Sequence, residues 1–334
     1  MDIHYRKAAP EEYRRILPFL QEISPGYGFT DEWFRWKYVN NPMGPPYIYF
    51  AEDREKGVLA GIYCLISWTM KSGSRRVKAV QSVDTMINPS YRGLGIVKHL
   101  SNVVFTDLKD QGVEIVIGFP NDDFFPTTLK IGWKNPGYMR SYVKILSVDK
   151  ILGGMSAGIP GVVRKMIDAI LAAPDRMIML RRRGLCVEEI SEITEASGEW
   201  NLSSRGTQTE RSHPYLRWRY AENPLRDYRF YQVSEHGRDV CRFVTRQEGR
   251  EVSLIDMLYG SDMNMLPALA AFSWFLRAGG AVALRTSCLG DMAPRLKKAG
   301  FIPRENGLPL VTYPIREGAV EDRLWQFMPG DIDV

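Results

Sequence analysis

The chain has 334 residues, 45% of them hydrophobic and 25% charged, and a formal net charge of +5. Such values describe a globular protein long enough for two domains, and the mild positive balance does not call for nucleic acid as a partner, though it suits polyanionic ligands. Cys64, Cys186, Cys241 and Cys288 stand apart, with no Cys-x-x-Cys pair and no histidine at ligand spacing. This argues against a zinc site and a Cys–His nucleophile, so no metal is expected, and it fits a reducing compartment. Residues 1–14 are polar and charged, unlike a signal peptide, and no run reaches the ~18 apolar residues of a membrane span. A cytoplasmic protein without an integral span is expected.

In chain order, residues 2–23 carry a helical pattern, with Pro10-Glu11-Glu12-Tyr13 as its start. Residues 30–38 form a helix whose Trp36 and Tyr38 belong to the core. Strands follow at 47–52 and 59–67, and a further strand is expected over 75–88. Alternation along that strand puts Ser82, Asp84 and Met86 on one face and Val83, Thr85 and Ile87 on the other. Pro89 ends the ladder because it has no N–H. Gly93 and Gly95 then open a helix over 96–108. A Gly-rich turn at a helix start aims several N–H groups and a positive dipole end at one point, which suits a phosphate. The third glycine of the dinucleotide fingerprint is missing, as is the Gly-Lys-Ser/Thr ending of the Walker loop.

Residues 113–119 read as a short apolar strand, broken by Pro120-Asn121-Asp122-Asp123. A short helix over 124–131 ends at Gly132-Trp133. A strand over 143–148 closes this half. Residues 151–180 read as a helical linker packed between domains, with Arg164, Lys165 and Arg181 to Arg183 leaving a surface-associated role open. Residues 201–211 read as a polar, mobile loop. Strands at 228–233, 239–246 and 252–259, a helix at 266–277, a strand at 281–286 and an acidic tail complete the chain.

The chain repeats itself. Arg35-Trp36-Lys37-Tyr38-Val39-Asn40-Asn41-Pro42 recurs as Arg217-Trp218-Arg219-Tyr220-Ala221-Glu222-Asn223-Pro224. Asp84 and then Gly132-Trp133 follow the first copy; Asp256 and then Gly300-Phe301 follow the second. One large repeat points to two copies of a domain rather than a solenoid. The second copy has Gly260-Ser261-Asp262-Met263-Asn264 where the first has its Gly turn, and Asp262 would repel a phosphate.

Arg92-Gly93-Leu94-Gly95-Ile96-Val97 resembles the acyl-CoA loop of the GCN5-related N-acetyltransferases (the GNAT superfamily), Q/R-x-x-G-x-G/A. Arg92 and Gly95 match; Val97 departs from the family's Gly or Ala. Asn121 and Gly132-Trp133 match the order of features after that loop. The resemblance implies an α/β (α+β) fold of two tandem GNAT-like domains, each a mixed central sheet flanked by helices. It divides the chain into a domain with the acyl-CoA loop (1–148), a helical linker (149–199) and a degenerate copy that binds no CoA (200–334). It implies acetyl-CoA or another acyl-CoA as cosubstrate, held by Arg92, Gly93, Leu94, Gly95, Ile96, Val97 and Lys98, by the backbone of Met86 and Ile87, and by Asn121. The acyl group passes directly to the amine of a small molecule.

The attacking amine must lose a proton, and Asp84 is the candidate general base or acceptor-orienting group. A structural Asp84 stays open, and Asp256 at the matching place favours it. The family often has a Tyr, placed to protonate the thiolate, where this chain has Thr128; Tyr138 is the candidate substitute, with Tyr142 close by. The tandem arrangement and the tail also resemble GNAT proteins encoded with bacterial polysaccharide biosynthesis, which implies an amino-sugar acceptor. Two rivals remain: an aminoacyl-tRNA-dependent transferase of the peptidoglycan type, whose coiled-coil insertion is not visible, and a non-catalytic acyl-CoA-binding or scaffold protein. Assembly as a homodimer stays open.

Overall fold

Residues 2–148, 160–193, 206–261, 264–318 and 324–332 are described by the computed structural model of the protein. The helical pattern expected over residues 2–23 holds only in its second half. Ile3–Lys7 is a strand (β1), antiparallel to β2 (Tyr47–Asp53), and only Ile16–Ile23 is α-helix (α1), reached through a 3-10 turn at Pro10–Arg15. Ile3 and Tyr5, two residues apart, pack on the same core cluster, so the local period is two rather than 3.6.

Thr30 caps the next helix (α2, Asp31–Phe34) by accepting from the Trp33 N–H at 3.1 Å. The helix then widens into a π turn over Arg35–Val39. β3 (Val58–Ser72) and β4 (Arg75–Ser82) form a hairpin. The strand expected over 75–88 is broken here. β4 ends at Ser82, the Thr85 N–H turns back to the Val83 carbonyl at 2.8 Å, and β5 (Met86–Ile87) pairs with β3 alone. The predicted alternation of Asp84 and Met86 with Ser82 therefore does not run through the break.

The helix α3 (Ile96–Asp110) buries Ile96, Leu100, Val104 and Leu108 on the sheet, followed by β6 (Ile115–Gly118), α4 (Phe125–Lys130) and β7 (Lys134–Ile145). A long helix, α5 (Gly161–Arg181), leads to β8 (Leu185–Ile190); the expected linker residues 151–159 lie outside the described residues. The remainder comprises β9 (Thr207–Thr209), α6 (His213–Leu216) with its own π turn over Arg217–Ala221, β10 (Arg229–Glu235), β11 (Arg238–Glu248), β12 (Glu251–Tyr259), α7 (Met265–Ala278), β13 (Ala283–Cys288), α8 (Met292–Lys298), β14 (Ile302–Pro314) and β15 (Trp325–Gln326).

The main sheet runs β1-β2-β3-β4-β6-β14-β7-β13-β12-β11-β10-β8. β14, the last long strand of the chain, lies between β6 and β7 and is antiparallel to both. The two halves therefore share one hydrogen-bonded sheet. One apolar cluster lies between α3 and the sheet, a second under α7, and a third joins the halves around Trp36, Trp68, Tyr215 and Trp218.

The polar segment expected to be mobile is otherwise where it is described. β9 pairs with β3 and β15, and Thr207, Gln208, Thr209, Glu210 and Arg211 are all buried; residues 201–205 lie outside the described residues. Its polar groups are satisfied by partners distant in sequence. The Trp68 indole donates to Thr209 Oγ1 at 2.9 Å, and Arg211 pairs with Asp256 at 2.9 Å and Asp331 at 2.8 Å.

Candidate active site

β4 and β6 run parallel in register from Ala79↔Ile115 to Ser82↔Gly118, and beyond that point their pairing stops. The broken strand at 83–85 and β5 lead away on one side, and the turn at Pro120 to Phe124 on the other. Between them opens a cavity of about 840 Å³. Thr85, Met86 and Ile87 line one side, the Gly turn and the first residues of α3 another, and the segment from Asn121 to Ile131 a third, with Ser24 closing it from the end of α1.

Gly93 and Gly95 have φ of +81° and +71°. A Cβ at Gly93 would meet open space and one at Gly95 only His99 at 3.9 Å, so the requirement is conformational rather than steric. Gly95 is the N-cap of α3 and offers no side chain. The first helical bond runs from the His99 N–H to the Gly95 carbonyl at 3.2 Å, so the Ile96, Val97 and Lys98 amides precede the intrahelical ladder at the cavity wall. Arg92, Lys98 and Lys130 line the cavity against one carboxylate, Asp123. A 15-residue helix dipole and three cations thus face one opening, the arrangement that holds a phosphate-bearing ligand. Tyr91 fixes the turn from behind, its hydroxyl donating to Asp53 Oδ2 at 2.8 Å.

The sequence-derived residues separate into three groups. Met86, Ile87, Arg92, Gly93, Gly95, Ile96, Val97, Lys98 and Asn121 all line this cavity. Asn121 also shapes it, because its Oδ1 accepts from the Phe124 N–H at 2.9 Å. Leu94 does not line it and lies exposed on the turn. Tyr138 stands apart on β7, 45% exposed, edge-on to Phe125 at 6.2 Å and outside the cavity wall. Tyr142, on the same strand, is buried, which raises its hydroxyl pKa. Thr128 is buried, and its hydroxyl donates to the Phe125 carbonyl at 2.6 Å.

Asp84 lies next to the cavity rather than in its wall, one residue before Thr85. Its Oδ2 accepts from Lys37 Nζ at 2.8 Å and from the Tyr38 hydroxyl. Cys64 sits beside this cluster, its thiol pushed up by burial and by the Asp84 charge. The same pair recurs in the second copy, where the Tyr220 hydroxyl donates to Asp256 Oδ2 at 2.7 Å. The difference is access. The Asp84 side chain keeps 12% exposure, whereas Asp256 has none and is held by Arg211 under Gly330, where a Cβ would stand 2.0 Å from the Tyr220 oxygen. Burial raises the Asp256 carboxyl pKa against the opposing pull of Arg211.

Ser24, Thr85, Tyr91, Thr127 and Lys130 line the cavity and were not read from the sequence. Lys130 carried a signal, since it precedes the matched Gly132-Trp133 pair. Ser24 carried none, because only the fold brings α1 to the Gly turn. Thr85 Oγ1 is shielded and has no hydrogen-bond partner among the described residues.

An uncapped helix start facing a cavity, beside a sheet whose strands part, can hold the phosphates of a ligand. Residues 4–135 match the family model of an acetyltransferase (GNAT) domain. No curated protein sequence matches the chain. Among solved structures, it is similar to a probable N-acyltransferase from Enterococcus faecalis V583, with a TM-score of 0.68 and 11% identity over 96% of this chain and 74% of that one. A GCN5-related N-acetyltransferase from Kribbella flavida gives 0.64 and 13% over 95% and 73%. The N-myristoyltransferase of Saccharomyces cerevisiae, solved with bound myristoyl-CoA, gives 0.51 and 9% over 93% and 82%. These likenesses are of fold. The match to a GNAT domain covers residues 4–135, and over the rest of the chain the likeness is of fold alone.

Proposed function

We propose that this protein is an N-acyltransferase that takes its acyl group, acetyl by family resemblance, from acyl-CoA and passes it directly to a small-molecule amine. The observation that carries the reading is the Gly95 start of α3, opening without a side-chain cap onto the 840 Å³ cavity beside β5. In this reading the amides of Ile96, Val97 and Lys98, with Arg92 and Lys98 as counter-charges, hold the CoA pyrophosphate. The backbone of Met86 and Ile87 pairs with the pantetheine and helps hold the thioester oxygen, where charge develops as the amine attacks. Asp84, its Oδ2 already engaged by Lys37 and Tyr38, orients the acceptor from beside the cavity.

The division into a CoA-binding unit over 1–148, a linker over 149–199 and a second unit over 200–334 belongs to the same proposal, as does an amino-sugar acceptor. The second unit completes the sheet through β14 and leaves the donor site to the first. A cytoplasmic location is part of the reading. The placement of Thr128 and Tyr138 favours a second reading, acyl-CoA binding without transfer, because neither hydroxyl is placed to protonate a thiolate in the cavity.

Calorimetry with acetyl-CoA tests the donor: micromolar binding that Arg92→Glu abolishes supports it, and no binding to any acyl-CoA sinks it. An amine screen with acetyl-CoA, reading free thiol, separates transfer from binding alone.

A further inference from the structure

A second cavity, of about 390 Å³, lies on the other half of the sheet. The strand register builds its floor. Arg246 on β11 faces Ser253 on β12, which faces Arg285 on β13. Paired residues point to the same side of a sheet, so the two arginines flank the Ser253 hydroxyl with Cα atoms about 10 Å apart. Two residues along from Arg285, Ser287 faces Ser141 on β7. Arg304 on β14 closes the far side, two residues after Ile302, which faces Val143 in the Arg285 row. Three guanidinium groups therefore serve one groove, and no Asp or Glu among the described residues lines it.

Each arginine keeps capacity to donate. Arg246 and Arg285 each spend one terminal nitrogen on a glutamate outside the lining, Glu248 at 2.6 Å and Glu251 at 2.7 Å. The Arg246 Nε is buried with no partner among the described residues. Arg304 has no carboxylate within 4.0 Å among them. Forked cations alternating with serine hydroxyls match the oxygens of a phosphate better than those of a neutral ligand. We propose that this groove binds the phosphate or diphosphate group of a small molecule, separately from the Gly turn and independently of the acyl-CoA reading.

Calorimetry of the full chain with pyrophosphate and inorganic phosphate, at constant ionic strength, tests this. The measurement is made on the Arg92→Glu variant, so that the Gly turn does not contribute. Binding should persist there and weaken about tenfold or more when Arg285→Ala and Arg304→Ala are added. The single Arg304→Ala, at an exposed residue, gives a smaller loss and serves if the combined variant does not fold. No binding to Arg92→Glu, or binding that both arginine variants leave unchanged, overturns the proposal.

The outward face of α5 is a separate surface. Val162, Met166, Ile170, Met177 and Leu180 are between 53% and 71% exposed, and at 100° per residue they fall on one face of the helix. Both acids of the helix turn inward: Asp168 accepts from the Ser147 hydroxyl and the Val148 N–H, and Asp175 is held by Lys144 and Arg277. Lys165, Arg176 and Arg181 stay exposed beside the apolar face. A second copy of the same face would set these cations against each other, whereas an anionic bilayer complements them. We infer that α5 lies on anionic lipid surfaces; no helix among the described residues is long and apolar enough to cross a membrane.

Co-sedimentation with phosphatidylglycerol vesicles, against phosphatidylcholine alone, tests this. The chain should pellet with the anionic vesicles, and Ile170→Glu with Met177→Glu should release it without changing its melting temperature. Lys165→Glu with Arg176→Glu should weaken binding without touching the apolar face. No pelleting, pelleting that both pairs leave unchanged, or a homodimer that Ile170→Glu dissociates overturns the inference.

Discussion

Trp36 and Trp218 each donate an indole N–H to the other's backbone carbonyl, at 2.8 and 2.7 Å, with their rings stacked at 5.3 Å and 20°. The contact is reciprocal: what one repeat does to the other is returned in the same atoms. The π turns make it possible. In each, the N–H after the turn reaches back five residues, from Asn40 to the Arg35 carbonyl and from Glu222 to the Arg217 carbonyl. The repeated motif is therefore the contact between the halves rather than a ligand site.

Trp218→Phe removes one of these donors and leaves the buried Trp36 carbonyl short of a partner. It should cost about 1–3 kcal/mol in urea unfolding, and Trp36→Phe about the same. The double variant should lose less than the two singles together, because the bonds share one interface. Simple additivity would show that the two bonds act independently.

The local parts of the candidate site are legible in the sequence. The Gly turn, its helix and Asn121 lie close together in the chain, and their order is set by backbone chemistry. What was missed is non-local. The placement of β14 between β6 and β7 depends on two edges more than 150 residues away in the chain. The burial of Thr207 to Arg211 depends on β3, β15 and Asp331, none of which a polar five-residue window reveals. Tyr138 is close in sequence to Gly132-Trp133, but β7 begins at Lys134 and carries it outside the cavity wall.

Gly95→Ala places a Cβ on a residue at φ +71°, a strain of about 1–2 kcal/mol. The start of α3 should relax by tilting its amides away from the cavity. Acetyl-CoA affinity by calorimetry should fall about tenfold while the melting temperature drops only a few degrees. Unchanged affinity would remove the amides from the donor site.

Glu12 joins the start of the first 3-10 turn to β1. Its carboxylate accepts from Arg6 at 2.6 Å through both terminal nitrogens, from the Ala9 N–H at 3.0 Å and from Arg15 at 2.9 Å. The Arg6 bonds, then the Ala9 bond, lower its pKa from 4.5 to about 2. A depressed carboxylate pKa stabilises the fold above the unfolded value and loses that contribution as the pH falls. Stability should therefore decline between pH 4.5 and about 2. In Glu12→Gln the melting temperature should be lower at neutral pH and depend less on pH across that window. An identical slope in both proteins would place the acid sensitivity elsewhere.

Asp84 and Asp256 offer an internal comparison, since each accepts from a tyrosine two residues after the paired tryptophans. Asp256→Asn strands the fully buried Arg211 between one remaining carboxylate and the Tyr220 hydroxyl, and should destabilise by about 3–5 kcal/mol. Asp84→Asn keeps an acceptor for Tyr38 and leaves Lys37 over the Trp33 ring at 5.0 Å, so the loss should be about 1–3 kcal/mol. Activity should follow the reverse order. Per folded molecule, Asp256→Asn should transfer acyl groups at the unmodified rate, while Asp84→Asn should fall about 100-fold in kcat/KM if it positions the acceptor. The pH profile separates the two roles of Asp84. A base removes the acidic limb of the profile when replaced, whereas an orienting carboxylate raises KM and leaves the limb in place. Equal, unreduced turnover in both variants would make Asp84 the structural twin of Asp256, and the acceptor would have to be held by the Lys130 and Thr127 side of the cavity instead.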